Sequence, residues 1–256
     1  MQKKYLSLIG IGGGIIVVFL LWHNYQVTQE NTEQDTLTFS NTQEWATELL
    51  DLKAREIRNV PNWEELIEIS APPTNSSKET KQELQTLLAY KELRTKDKLE
   101  QINSELNYQT AELGDIPLAK YFDSTKYPFT SLLISEPLLD ISAIVLNLKE
   151  KFNRVRPSFL EPDIDPAIEI PGHPAYPSGH STQSHFVAYM LGELMPQRRA
   201  EFIADAESIA KNREIAGVHY PGDSAAGVEL ARQFFNLIKQ DQEIQRMISL
   251  ARLEWQ

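Results

Sequence analysis

The spacing of apolar residues is the feature that most constrains how this chain can fold. From about Glu79 to Leu106, leucines and isoleucines recur at steps of three and four residues, which is the spacing of one helix face. The same spacing runs from about Ser131 to Phe152. We find no alternation of apolar and polar residues that predicts a strand, and no internal repeat. The sequence therefore predicts an all-α fold, a helical bundle.

Apolar spacing together with capping and stop signals predicts four further helices. Ser178 is expected to cap one of them, Pro196 to end it, and Gly217 to end the next. The proline-rich segment from Pro157 to Pro177 is predicted to be a loop. The four helices are expected at about Thr42 to Asn59, Ser178 to Met195, Gln197 to Ala216 and Asp223 to Glu254.

The N-terminus has the composition of a membrane segment. After a start that contains Lys3 and Lys4, residues 5–22 carry no charge. Eighteen helical residues rise about 27 Å, close to the hydrocarbon thickness of about 30 Å. A cleaved signal peptide and an uncleaved anchor are the two interpretations, and the length without a small-residue cleavage pattern favours the anchor. The two lysines then predict a single-pass membrane protein whose remainder faces the periplasm or exterior.

The composition excludes several classes of protein. A hydrophobic fraction of 41% is too low for a chain that spans the membrane many times. A net charge of −11 argues against a nucleic-acid partner, because phosphate backbones select for clustered lysine and arginine. The absence of cysteine rules out disulfides, thiolate metal sites and cysteine nucleophiles.

Residues able to take part in catalysis or anion binding are concentrated in three short clusters in the C-terminal half. They supply three cations, two histidines, a carboxylate and a Ser-Gly turn. This is the set needed to hold a tetrahedral oxyanion and transfer it through a histidine. The clusters are Lys149 with Arg156-Pro157, then Pro177-Ser178-Gly179-His180, then Arg213 with His219 and Asp223.

Each cluster also has an ordinary structural explanation. A serine before a helix is a common cap, and taken alone this explanation is favoured, although the helix start behind Ser178 and Gly179 could also bind an anion. A carboxylate such as Asp223 near His219 can be a plain hydrogen bond, or it can fix the tautomer and leave the other ring nitrogen as a nucleophile. The cations can simply complement a helix C-terminus.

Together, the ordered clusters resemble the motif of the type 2 phosphatidic acid phosphatase superfamily. That group includes the bacterial class A acid phosphatases and the vanadium-dependent haloperoxidases. Its pattern is Lys-x6-Arg-Pro, Pro-Ser-Gly-His and Ser-Arg-x5-His-x3-Asp, and this chain departs from it only at Asn212, where the family usually has serine. The resemblance covers roughly Glu79 to Phe235. It implies a helical bundle of the acid phosphatase/haloperoxidase type, to which the apolar N-terminal segment is expected to add one transmembrane helix.

The resemblance implies a role for each motif residue. His219 would attack phosphorus and form a phosphohistidine, Asp223 would orient it, and His180 would act as general acid and then general base. No metal is implied, because side-chain cations would form the clamp. The residues expected to hold the phosphate are Lys149, Arg156, Ser178, Gly179 and Arg213.

Three functions stay open on this basis. The leading hypothesis is a phosphatase without a cofactor, acting on phosphomonoesters or on lipid phosphates or diphosphates. The alternative is a vanadium-dependent haloperoxidase, in which the same clamp holds vanadate on His219, although known members are longer. A non-catalytic tethered binding module is disfavoured because His180, His219 and Asp223 are intact.

The expected organisation has three parts. Residues 1–23 form an anchor or signal segment, 24–78 a polar tether with a helical extension, and 79–256 the phosphatase domain. The expected partners are the substrate and the membrane, and the oligomeric state is not indicated. Of the remaining histidines, His173 could line the pocket or be an ordinary loop residue, and His185 is expected to be structural.

Overall fold

The computed structural model describes residues 32–106, 118–121 and 125–256. Within these ranges all regular elements are helical and no strand is present, so the prediction of an all-α fold is confirmed. The longer helices in these ranges are α1 (Lys78–Tyr90), α2 (Lys96–Ser104), α3 (Pro128–Phe152), α4 (Gly179–Leu194), α5 (Arg199–Ile215), α6 (Pro221–Ile238) and α7 (Gln242–Leu253).

Short helical turns precede and connect these helices. One-turn α-helices lie at Leu50–Lys53, Trp63–Leu66 and Pro157–Leu160. Turns of 3-10 helix lie at Phe39–Asn41, Thr47–Leu49, Lys91–Leu93, Ala119–Tyr121, Pro162–Ile164 and Pro196–Arg198.

Helix α4 is the centre of the bundle. It packs against α3, α5 and α6, and nearly all of its residues are buried. Its Phe186 ring meets Phe234 of α6 edge to face, with 5.5 Å between ring centroids. A helix that is covered on all sides belongs to the interior of a protein. The start of α4, with Ser178 as its N-cap, therefore opens inside the molecule.

Helix α3 is the long apolar core helix that the sequence predicts. Within the described ranges, one stretch, Pro128–Leu160, is long and apolar enough to cross a membrane. Of its apolar 18-residue segment, 72% is buried inside the protein. Burial against α4 and α7 makes α3 part of the core. The predicted transmembrane helix within residues 1–23 lies outside the described residues.

The prediction of one long helix from Glu79 to Leu106 is wrong. The chain breaks after the turn that follows α1, and α2 begins anew with Thr95 as N-cap, whose side chain accepts a hydrogen bond from the Lys98 amide. The Arg94 side chain donates to the carbonyl of Ile215 at the end of α5. This tertiary contact and the new cap stabilise the break, although the apolar spacing continues across it.

The predicted last helix, Asp223 to Glu254, is also two helices. The Asp241 side chain accepts from the amides of Glu243 and Ile244 and so starts α7. By contrast, α4 begins after Ser178 and α5 is followed by Gly217 at a φ of 81°, both as predicted.

The segment 42–59 is not the predicted continuous helix, since only Thr47–Leu49 and Leu50–Lys53 are helical. Its backbone donors bond to the bundle instead: the amides of Arg58 and Asn59 both donate to Asp140 of α3. The stretch from Pro157 to Pro177 is a loop only in part, because it contains Pro157–Leu160 and Pro162–Ile164.

Candidate active site

The three sequence clusters meet at one end of the bundle. Each predicted residue lies at or beside a helix end, and each is almost completely buried. The last turn of α3 carries Lys149 and that of α5 carries Arg213, while α4 begins with Gly179 and His180. The connection from α5 to α6 holds His219, and the first turn of α6 holds Asp223.

The His219–Asp223 pair is fixed by several hydrogen bonds. The Nδ1 of His219 lies 3.0 Å from Oδ2 of Asp223, which also accepts from the Tyr220 amide. Oδ1 accepts from Arg154 at 2.6 Å. Burial alone would raise the pKa of Asp223, but Arg154 and His219 hold that pKa well below its usual value. Asp223 is therefore a carboxylate, and His219 donates to it through Nδ1.

The other ring nitrogen of His219 is available as an acceptor. Its Nε2 lies 3.2 Å from Nη1 of Arg156, and an arginine can only donate. Burial, followed by the charge of Arg156, lowers the pKa of His219 to about 3. The ring is thus neutral, with its lone pair on Nε2, which is the form that a nucleophile requires.

The two cations of the first cluster are held by the loop before α4. The ammonium of Lys149 donates to the carbonyls of Pro174 at 2.8 Å and Ala175 at 3.1 Å. The guanidinium of Arg156 donates twice to the carbonyl of His173, at 3.1 and 2.8 Å. Burial, and then the charge of Arg156, places the pKa of Lys149 well below its usual value. Carbonyl dipoles fix both side chains without adding a negative charge.

The start of α4 is tied to the third cluster. The Ser178 side chain caps the helix by accepting from the Ser181 amide, and its own amide donates to the Asp223 carbonyl at 2.9 Å. Gly227 of α6 lies against this turn, since a Cβ there would meet the Ser178 carbonyl at 2.8 Å. Close contact of α4 and α6 thus brings the second and third clusters together.

The C-terminal end of α2 forms another side of the site. The Nη2 of Arg213 donates to the Ile102 carbonyl and to Oε2 of Glu105, both at 2.8 Å. The Nε2 of His180 donates to the carbonyl of Glu105 at 2.9 Å. Burial, and then the charge of Arg213, places the pKa of His180 well below its usual value.

A pocket of about 440 Å³ opens onto these residues. His173, His180, Arg213 and His219 form its floor, and its walls combine apolar side chains with two acids. Lys149 and Gly179 line a smaller adjoining cavity that shares His173. The volume is sufficient for a phosphate with part of an organic group. The wall residues include Leu49, Leu106, Ile168, Ile170, Glu48 and Glu169.

Sequence reasoning missed several residues of this site. Arg154 sits in the variable part of the first motif, and Glu83 on α1 accepts from its Nη2 at 2.6 Å. Glu105 is 44 positions before Lys149 and belongs to no motif. His173, left open by the sequence, lines the pocket with Nδ1 3.0 Å from Arg156.

In the described ranges, no group of three or more histidine and acidic side chains is placed to hold a metal ion.

Two solved structures share this fold. One is a bacterial vanadium-dependent iodoperoxidase, with a TM-score of 0.55 at 18% identity over 67% of this chain and 51% of that one. The other is a transmembrane PAP2-type phosphatidylglycerolphosphate phosphatase from Bacillus subtilis, with a TM-score of 0.50 at 18% identity over 64% and 87%. The site thus sits in a helical fold shared by enzymes of the haloperoxidase and PAP2 types.

The family comparison agrees with the motifs. The PAP2 superfamily model matches residues 129–246, which hold all three clusters. An acid phosphatase of Zymomonas mobilis is 26% identical over 197 residues, covering 74% of each chain. A lipid A 1-phosphatase of Rhizobium etli is 34% identical over 114 residues, covering 42% of this chain and 46% of that protein. The match of residues 129–246 to the PAP2 superfamily model and the likeness to these phosphatases support a hydrolase of the phosphatase class.

Proposed function

We propose that this protein hydrolyses phosphomonoesters, or lipid phosphates or diphosphates, through a phosphohistidine on His219, without a metal ion or other cofactor. The observation that carries the proposal is the setting of the His219 ring. Nδ1 is bonded to Asp223 and Nε2 faces Arg156, while the ring lines the pocket. A neutral imidazole with an oriented lone pair, next to a cation, is equipped to attack an anionic phosphorus centre.

The reaction would take place in two displacements. In the first, Nε2 of His219 attacks phosphorus in line, and the bond to the ester oxygen breaks as His180 gives that oxygen a proton. In the second, His180 removes a proton from water, which attacks phosphorus and releases His219 and phosphate. Burial lowers the pKa of His180 in the free site, and an arriving phosphate would raise the proton affinity of this ring.

The proposed clamp consists of Lys149, Arg156 and Arg213. A lysine ammonium has three donors, and the structure uses two of those of Lys149 on carbonyls. The third would bind a phosphate oxygen. The Ser178 hydroxyl and the Gly179 amide at the start of α4 would add hydrogen bonds next to the positive end of the helix dipole. These groups would stabilise charge on the equatorial oxygens of the transition state.

We place the organic part of the substrate against the apolar pocket wall. Leu49 and Leu106 contribute to that wall, and the first of them comes from the N-terminal extension. The extension is tied to the end of α3 beyond Lys149, because the Phe39 amide donates to the Asn153 carbonyl. An anchor within residues 1–23 would therefore hold the pocket near the membrane surface. This favours lipid phosphates or diphosphates outside the cytoplasm, as in the name of the Rhizobium relative, over small soluble esters.

The first test is hydrolysis of p-nitrophenyl phosphate by the full chain in detergent, with a chelator present. His219→Ala should reduce kcat to below about a thousandth of the wild-type value, because it removes the nucleophile. Vanadate should inhibit the wild type. Loss of activity in the chelator, or turnover by the alanine variant, would contradict the proposal.

Vanadate loading also tests the haloperoxidase alternative. The likeness to the iodoperoxidase, at 18% identity, concerns the fold alone. The alternative would be favoured if the vanadate-loaded protein oxidises iodide or bromide with hydrogen peroxide, and if the protein without vanadate has no phosphatase activity.

A further inference from the structure

Glu105 is a buried acid beside the proposed phosphate clamp. It caps the C-terminal end of α2 and is 3% exposed. Neither the PAP2 motif nor the mechanism proposed above uses it. A carboxylate in this position is unexpected, since a negative charge close to a phosphate site opposes binding.

The contacts of Glu105 fix it in place. Its Oε2 accepts from Arg213 at 2.8 Å and its Oε1 accepts from the side-chain amide of Asn212 at 2.7 Å. Its backbone carbonyl accepts from His180 at 2.9 Å. Since side chain and backbone are both bonded and buried, the carboxylate stays next to Arg213 when a ligand enters the pocket.

The side-chain amide of Asn212 holds the Glu105 carboxylate in this position. Asn212 stands where the family usually has serine, and its amide serves two partners. Nδ2 donates to Glu105, and Oδ1 accepts from Lys98 at 3.1 Å. A serine has one hydroxyl on a shorter side chain and cannot join both groups. The residue that departs from the family motif thus binds the buried acid directly.

We propose that Glu105 is a specificity-determining residue that makes the site favour the monoanionic form of a phosphate group over the dianion. The inference rests on the proposed function, because it takes Arg213 as a phosphate ligand. A phosphate oxygen bound to another nitrogen of the same guanidinium lies within about 4–6 Å of the carboxylate, a range over which like charges disfavour each other. The second ionisation of a phosphate monoester falls near pH 6, so the preference acts close to neutrality.

Other groups around Glu105 do not reverse this effect. Among the residues that the structure describes, the charged groups that face it are two basic side chains, Arg213 and, through Asn212, Lys98. His180 is neutral, because burial places its pKa well below the usual value. Burial also raises the pKa of Glu105 itself, so its negative charge is greatest at the higher pH at which the dianion predominates.

The test is calorimetric binding of inorganic phosphate to the full chain at about pH 5 and about pH 8, on either side of the second ionisation of phosphate. Glu105→Gln keeps the shape and removes the charge. It should bind phosphate about tenfold more tightly than wild type at the higher pH, and within about twofold at the lower pH. Glu105→Asp keeps the charge and should keep the wild-type pH dependence.

Glu100→Gln is the matched control, because Glu100 lies on the exposed face of the same helix. It should bind phosphate like wild type at both pH values. Equal affinities of Glu105→Gln and wild type at the higher pH, or the same change at both pH values, would overturn the inference. A wild type that binds no phosphate at either pH would overturn both the inference and the proposed function. Turnover of p-nitrophenyl phosphate is a separate test of that function.

Discussion

Arg154 sets the charge of the His219–Asp223 pair. Its guanidinium bridges Asp223 and Glu83, each at 2.6 Å, and lies over the Tyr220 ring at 3.7 Å from the centroid. Both ion-pair contacts are shielded from water, so they are stronger than surface pairs. By holding Asp223 as a carboxylate, Arg154 maintains the tautomer of His219 that the proposed reaction needs.

Replacement of Arg154 by methionine should change the pH dependence of the reaction. Without its cation, the pKa of Asp223 rises and the His219–Asp223 pair retains a proton at higher pH. We therefore expect the acidic limb of kcat/KM to move to higher pH and kcat to fall. Removal of one partner from a buried ion pair should also cost about 3–5 kcal/mol of stability. A pH–rate profile and urea unfolding measure the two effects.

Glu83→Gln is the control for this prediction. It alters the other partner of Arg154 and leaves the contact of Arg154 with Asp223 intact. Its acidic limb should stay close to that of wild type. An unchanged limb in Arg154→Met would show that Arg154 has only a structural role.

At this scale, sequence predicts the motif residues but not their supports. The sequence identified His219 and Asp223 as a pair, because only three residues separate them. Arg154 pairs with Glu83, 71 positions away, and Asn212 pairs with Glu105, 107 positions away. Such contacts depend on how the helices cross, which no local pattern encodes.

Among the helices, the contact of α4 with α6 depends on Gly227. A Cβ at this position would lie 2.8 Å from both the Ser178 carbonyl and the Ser181 Cβ. Backbone and a buried side chain cannot give way easily. The two helices would have to separate at the turn that carries the Pro-Ser-Gly-His motif.

Gly227→Ala should therefore reduce the free energy of unfolding by about 1–3 kcal/mol and weaken activity. Gly192→Ala is the matched control on α4. The three atoms nearest to its new Cβ all belong to the exposed Arg199 side chain, with Cγ at 2.8 Å, and not to a neighbouring backbone, while alanine favours a helix by up to about 1 kcal/mol. Urea unfolding of the two variants measures the difference. Equal stability of Gly227→Ala and wild type would show that the two helices can adjust.

Two of the errors in the predicted helices have a common physical origin. Apolar spacing continues through Thr95 and Asp241, yet each caps a new helix and so ends the previous one. Both are good capping residues, and this signal was readable from the sequence. The segment 42–59 is different, because its donors are satisfied by Asp140 of another helix, a tertiary contact that outweighs local preference.

For the molecule as a whole, buried histidines couple stability to pH. The four histidines in the described ranges are all buried, with pKa values lowered chiefly by burial: His173, His180, His185 and His219. Below pH 6.5 the unfolded chain takes up protons that the folded protein does not, so folding becomes less favourable as pH falls.

The free energy of unfolding should fall by up to about 1.4 kcal/mol per pH unit for each such histidine below pH 6.5. For His219 this range extends down to its folded pKa of about 3. Glu105, whose pKa burial raises, offsets part of the loss. Urea unfolding at several pH values should show this slope. His219→Gln should flatten it, and a slope unchanged in that variant would contradict the assignment.

The amide bridge between Asn212 and Glu105 has an evolutionary consequence. Two positions 107 residues apart share one function, so a change at either one alters the selection on the other. A relative that carries the family serine at 212 lacks the amide that holds the acid. Aligned relatives should therefore show the two positions covarying, asparagine with an acidic partner and serine without one. Such covariation would mark a subgroup whose members share the preference among phosphate charge states that we propose for this chain.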